Sequence, residues 1–275
     1  MQAEAFFLAA ECGFSGQRFC LFHPAHGGVA KGAILYVHPF AEEMNKSRRM
    51  ATLQSRALAR SGYGVLQIDL FGCGDSSGDF GDATWSGWID DIVHAVGWLA
   101  TRIAAPLWLW GLRASCLLAA NAARQLDIPC NFLFWQPPVA GKPLLQQFLR
   151  LKVAAAMLSG ASAGAMSVLR GQLADGASVE IAGYTLSPDL AAGLTQASLL
   201  PPPTCGPGRR LEWIELSGLP DAPHLAPASH RVVDAWREGG CTVRSQVVSG
   251  PAFWQTAEIE EAPLLVAATL EALSG

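Results

Sequence analysis

Four continuous apolar runs mark the first half of the chain. They are GAILYVHPF (Gly32–Phe40), YGVLQIDL (Tyr63–Leu70), PLWLWG (Pro106–Gly111) and CNFLFWQPP (Cys130–Pro138). None of them alternates apolar with polar positions, which is the pattern of strands covered on both faces. Between them, residues 47–61, 84–103 and 113–125 space their apolar side chains as helices do; Trp88, Ile92, Val96 and Leu99 fall on one face. Residues 138–210 break this rhythm. They are rich in Ala, Gly, Leu and Ser and end in the stiff return LLPPPTCGPG. The alternation then resumes with strands at 210–218 and 241–249 and helices at 227–239 and 257–273. The pattern predicts one α/β domain, a mostly parallel doubly wound sheet made by residues 1–137 and 211–275, with a helical lid inserted at 138–210.

Composition agrees with a large core and narrows the partners. Hydrophobic residues make up 51% of the 275 and charged residues 15%, so disorder is excluded. A net charge of −4 argues against nucleic acid. The stretch Val153–Leu169 is too short for the roughly 20 residues of a spanning helix; it reads as a packed or lid helix, with a weak peripheral membrane contact left open. MQAEAFFLAAEC at the N-terminus lacks the basic start of a secretory signal. The seven cysteines are scattered without a C-x-x-C pair, which is expected of free thiols in a reducing cytoplasm. No metal, nucleotide or flavin signature is present: GCG and GDSSG read as turn glycines, and no cofactor is expected.

The chemistry concentrates where strand 106–111 meets the next helix. A strand, a sharp turn and a helix are the setting of a nucleophile elbow, G-x-S-x-G. Here the five residues are Gly111-Leu112-Arg113-Ala114-Ser115. Arg113 takes the nucleophile position and Ser115 replaces the closing glycine. His38 opens the loop where an oxyanion loop belongs, and DLFGCGDSSG (Asp69–Gly78) fills the turn after the following strand.

In this order the chain resembles the α/β-hydrolase superfamily. HPFAEEMNKSRRM (His38–Met50), GLR at the elbow and GPAFWQT near the end resemble one group within it, the second of two hydrolase families associated with exosortase A systems near exopolysaccharide genes of Gram-negative bacteria. The resemblance implies an ester- or acyl-bond hydrolase. It also implies a triad acid after strand 210–218, a position that Asp221 keeps, and a base histidine after the last strand, where the chain reads Gly250-Pro-Ala-Phe253-Trp254 instead. The backbone N–H groups of Phe40 and Ala114 match positions that bind developing negative charge in the superfamily.

A guanidinium is neither nucleophile nor base, so a serine-type triad is incomplete. Three readings follow. Arg113 at a helix N-terminus can bind an acidic or acylated small molecule, and its internal partner would be Asp221, Glu42 or Glu43. Alternatively, hydrolysis survives through Cys116, three residues beyond Arg113, or through a water activated by His38 or Asp221. The third reading is an interaction protein, with a partner from an exopolysaccharide system. Phe253 and Trp254 either line a pocket or fill the space of the missing histidine, and the dense cluster Glu42, Glu43, Asn45, Lys46, Arg48, Arg49 forms a pocket rim or a solvated helix start.

Overall fold

The structure is a computed structural model, which describes residues 2–10, 13–158, 164–219 and 224–274. Its centre is an eight-stranded sheet. In chain order the strands are β1 (Glu4–Ala10), β2 (Gly16–His23), β3 (Gly32–Val37), β4 (Tyr63–Ile68), β5 (Leu107–Leu112), β6 (Cys130–Trp135), β9 (Arg210–Ser217) and β10 (Thr242–Ser249). Across the sheet they run β1-β2-β4-β3-β5-β6-β9-β10. The six strands from β4 to β10 are parallel, and the β1–β2 hairpin joins antiparallel at the β4 edge. Every residue of β3, β5 and β6 is buried, as their unalternated apolar sequences require.

Helices cover both faces. α1 (Glu42–Arg60) and α8 (Pro263–Ser274) lie over one, packing Met50, Leu58, Leu265 and Leu273 on Ile34, Trp110 and Trp135. α2 (Trp85–Arg102), α3 (Ala114–Ala122) and α7 (Pro227–Glu238) lie over the other, where Trp88, Ile92, Leu117 and Trp236 join the larger core.

Between β6 and β9 the chain leaves the sheet for residues 136–209. It forms α4 (Gly141–Leu158), α5 (Ala165–Ala174), a two-stranded hairpin of β7 (Val179–Ile181) and β8 (Tyr184–Leu186), and α6 (Pro188–Gln196). Leu145, Phe148, Leu169, Ile181, Leu190 and Leu194 bury themselves in the same core as α2 and α3, so the insertion is packed onto the sheet domain. The stretch Val153–Leu169 is divided between the end of α4 and the start of α5; residues 159–163 lie outside the described residues. No helix among the described residues is long and apolar enough to cross a membrane.

Two expectations from the sequence are corrected, and one run it left unassigned takes a definite structure. The N-terminal apolar run is a strand, since β1 pairs with β2 from Glu4–Phe22 to Ala10–Gly16. The last helix begins at Pro263, six residues later than the apolar spacing suggests; residues 257–262 form a bend and irregular chain ahead of it. Not all thiols are free: Cys205, on the return segment, is disulfide-bonded to Cys241 just before β10, with Cα atoms 5.6 Å apart. The described free cysteines, Cys20, Cys73, Cys116 and Cys130, are buried.

Candidate active site at the elbow

The carboxyl ends of β3, β5 and β6 lie side by side, and each is followed by a non-glycine residue at positive φ: Ala41 (50°), Arg113 (58°) and Gln136 (45°). Such backbone costs on the order of 1–3 kcal/mol per residue and gathers at functional sites. In open α/β sheets this edge is also where ligands sit.

Arg113 stands on the sharp turn between β5 and α3, with φ 58° and ψ −125°. Two small details hold the turn. Gly111 is obligatory, since a Cβ there would lie 2.7 Å from the backbone nitrogen of Cys116. The wholly buried Ser115 accepts the N–H of Leu112 at 2.8 Å, and its hydroxyl lies 2.8 Å from the carbonyls of both Val37 and Leu112. Ser115 therefore clamps the elbow to the end of β3, a structural task in place of a nucleophilic one.

The guanidinium is anchored on three sides. Its Nε donates to Glu43 Oε1 at 3.2 Å, an Nη donates to Gln147 Oε1 at 2.9 Å, and the Trp254 ring centre lies 5.7 Å from Cζ. Both partners of the ion pair are largely buried, with side chains 13% and 12% exposed. Burial pushes the Glu43 carboxyl up to about 7, against the pull of Arg113. Burial also raises Glu42, whose Oε2 is shielded from solvent and has no hydrogen-bond partner among the described residues.

These side chains border a cavity of about 270 Å³ lined by Phe40, Glu42, Glu43, Lys46, Ala114, Gln147, Phe148 and Gln255, with Leu144 and Leu151. Lys46 donates to the Gln255 carbonyl and Gln147 to the Gln255 side chain, each at 3.4 Å, so the insertion, α1 and the segment after β10 meet at the rim. Ala114 begins α3, so its N–H belongs to the first turn, whose donors have no partners within the helix. The cavity thus combines a helix N-terminus, one ammonium, two carboxyls and two aromatic rings, with a guanidinium behind them.

Other candidates take different places. His38 is buried; its Nδ1 donates to the Pro39 carbonyl at 2.8 Å and its Nε2 accepts from Leu70 N–H at 3.2 Å. With both nitrogens used and burial lowering its pKa, it joins two loops as a neutral ring and does not line the cavity. Cys116 is also removed from the cavity. It is fully buried, its thiol points to the Trp135 carbonyl at 3.7 Å, and burial raises its pKa well above the usual thiol range, so the helix N-terminus gives it no thiolate character.

Phe253 and Trp254 are 0% and 3% exposed. They continue a chain of ring contacts from Tyr36 through Trp110 and Trp135, and the Trp254 ring packs against Arg113; neither lines the cavity. Asp221 lies outside the described residues, while His224 and His230 are exposed. In the charge cluster, Arg48 pairs with Asp69 at 2.9 Å and Arg49 with Glu261, leaving Glu42, Glu43 and Lys46 as the members that face the cavity. Sequence reasoning missed Gln147 and Gln255, two uncharged side chains without a motif around them.

Comparisons with known proteins agree with this architecture. Residues 19–130 match the family model of X-Pro dipeptidyl-peptidase (S15 family). Human protein ABHD12B is 33% identical over 109 residues, which are 39% of this chain and only 29% of that protein. Solved structures are similar over nearly the whole chain. Est1E from Butyrivibrio proteoclasticus, with ferulic acid bound, has a TM-score of 0.64 at 14% identity, covering 98% of this chain and 100% of that one. A monoglyceride lipase from Saccharomyces cerevisiae, with a substrate analogue, has a TM-score of 0.63 at 15% identity, covering 98% and 94%. A serine hydrolase without a lid from Xanthomonas campestris has a TM-score of 0.57 at 15% identity, covering 99% and 94%. The parallel sheet, the strained elbow and these neighbours establish that the chain has the α/β-hydrolase fold.

Proposed function

We propose that this protein uses the hydrolase scaffold to bind a small acyl- or carboxylate-bearing molecule in the elbow cavity, without nucleophilic acyl transfer. The observation that carries this reading is Arg113: a guanidinium occupies the strained turn where this fold presents its nucleophile, and Glu43, which lines the cavity, holds it directly behind the wall. A carboxylate entering beside Phe40 and Ala114 would meet the α3 N-terminus and Lys46 and feel the Arg113 cation behind Glu43 and Gln147. Glu43, poised near 7, would take up a proton and cease to repel it. The motif His38–Met50 supports a setting in the exosortase-linked exopolysaccharide systems that its resemblance implies.

One observation favours a second reading, in which hydrolysis persists. A buried carboxyl with a pKa near 7 beside a helix N-terminus is a competent general base for water. Glu43 would then do the work that the missing histidine does elsewhere.

The deciding experiment pairs calorimetric titration of butyrate, benzoate and cinnamate with hydrolysis of p-nitrophenyl esters of graded length. Wild type, Arg113→Lys, Arg113→Ala and Glu43→Gln are compared at matched folding. Carboxylate binding weakened at least tenfold by Arg113→Ala, with hydrolysis at the buffer rate, is the expected result. Turnover that Glu43→Gln abolishes would establish the second reading. Absence of both Arg113-dependent binding and Glu43-dependent turnover would overturn both and favour a pure interaction protein.

A further inference from the structure

α4 presents two lined faces. Leu144, Gln147, Phe148 and Leu151 face the elbow cavity, while Lys142, Leu145, Gln146 and Leu149 face a separate groove of about 450 Å³. Each set follows the i, i+3, i+4, i+7 spacing of a helix stripe, so the two sites lie on different sides of one helix. The far walls of the groove come from α5, through Arg170 and Leu173, and from α6, through Pro188 and Ala191. Its size falls within the range of small-molecule sites, about 300–1,000 Å³.

The chemistry of the groove is one-sided. Lys142 and Arg170 are the only ionisable side chains among its lining residues, and both are exposed. Neither forms an ion pair with a described residue. From Gly141 to Ala174 the chain carries Lys142, Arg150, Lys152 and Arg170 and no Asp or Glu, within a protein of net charge −4. The floor is apolar: Leu145, Leu149 and Ala191 are 9%, 1% and 3% exposed.

We propose that this groove binds a single-chain amphiphilic anion of the fatty-acid class. The carboxylate lies between Lys142 and Arg170, and the tail runs along Leu145, Leu149, Leu173 and Ala191. Two unpaired cations above an apolar trough select for a ligand that has both properties. A neutral chain would leave the cations unused, and a short anion would leave the trough wet. The groove is distinct from the elbow cavity, so the inference goes beyond the function proposed above.

The test uses the full-length protein and dodecanoate, measured by calorimetry and by thermal shift below its micellar concentration. Dodecanoate should bind at least tenfold more tightly than dodecanol or butyrate. Each methylene added between four and twelve carbons should tighten binding about three- to fourfold until the trough is full. Lys142→Ala/Arg170→Ala should remove most of the preference for the anion, and Ala192→Trp, at an exposed wall position, should block dodecanoate while the fold is kept. Arg113→Ala should leave unchanged the affinity of the dodecanoate site that Ala192→Trp blocks. The proposal is overturned if Arg113→Ala abolishes binding, which would place the ligand in the elbow cavity. It is also overturned if the double variant leaves the anion preference intact, or if the protein binds phosphatidylglycerol vesicles and ignores both dodecanoate and Ala192→Trp, which would indicate a surface contact.

Discussion

Arg113 and Glu43 are 70 residues apart in the chain, yet the guanidinium Nε and a carboxylate oxygen lie 3.2 Å apart at the site. The pair joins the turn after β5 to the first turn of α1 and fixes the electrostatics of the cavity. Each partner is mostly withdrawn from water, so neither charge is well solvated alone, and burial raises the pKa of the carboxyl.

Glu43 therefore predicts a specific pH dependence. Its pKa in the folded protein is about 7, above the roughly 4.3 of an unfolded chain. A carboxyl raised on folding contributes stability below the unfolded pKa, and that contribution is lost as pH rises through the folded value. Between pH 4.5 and 7.5, wild type should lose stability relative to Glu43→Gln, which keeps an acceptor for Arg113 and cannot ionise. Melting temperatures of the two proteins across this range provide the check. Parallel curves would mean that Glu43 is ionised throughout.

The glycines separate tight backbone from loose. Gly111→Ala would place a Cβ 2.7 Å from a backbone nitrogen in α3, where no flexible side chain can yield, so the expected loss is at least the 1–3 kcal/mol typical of overpacking. Gly97, exposed inside α2, has nothing within 4 Å of such a Cβ. Gly97→Ala should stabilise by about 0.5–1 kcal/mol through helix propensity. Urea unfolding of both variants measures the contrast.

How much of this was legible beforehand depends on the physical source of each feature. The strands β3, β4, β5 and β6 announce themselves because burial on both faces leaves few polar positions, Gln67 and Asn131 among them. β1 hides because it is an edge strand whose residues are mostly exposed or half-buried; a short apolar run between two glutamates carries little period. The wholly buried Arg18 was invisible for another reason. Its partner Asp91 lies 73 residues away, at 2.7 Å, and one arginine in a strand has no local signal. At the elbow, an arginine at the middle position of a turn like G-x-S-x-G was plain from the sequence alone. Which carboxylate answers it depends on the entry angle of α1, set by Ala41 at positive φ, and no composition rule encodes that angle.

The pairing of Cys205 with Cys241 depended on the same kind of long-range closure, and it has a measurable consequence. The disulfide spans 36 residues between the return segment and β10. A loop of that size is worth on the order of 3–4 kcal/mol through the unfolded chain. Intact mass under non-reducing conditions should be about 2 Da below the reduced value, as loss of two thiol hydrogens requires. Cys205→Ala/Cys241→Ala should unfold at lower urea in the absence of reductant and match wild type in its presence. Equal midpoints in both conditions would show that the bond does not form in solution.

A serine placed at the elbow should not by itself make an enzyme. In Arg113→Ser the hydroxyl would sit on the strained turn beside the Ala114 N–H, so nucleophile and oxyanion donor would both be in place. A serine also needs a base within hydrogen-bond reach. Phe253 and Trp254 have their rings buried, that of Trp254 against Arg113, and His38 has both ring nitrogens committed to Pro39 and Leu70. Among the described residues, Glu43 and its neighbour Glu42 are the carboxyls beside the elbow able to accept a proton, and Glu43 is the one that Arg113 contacts. Removing Arg113 takes away the cation that holds Glu43 down to about 7, so its pKa should climb and leave it protonated at neutral pH. The variant is therefore expected to hydrolyse p-nitrophenyl acetate at the buffer rate at pH 7 and to gain turnover only in alkali, where Glu43 ionises. Turnover at pH 7 that a serine-directed fluorophosphonate blocks would show that a base outside these residues reaches the elbow.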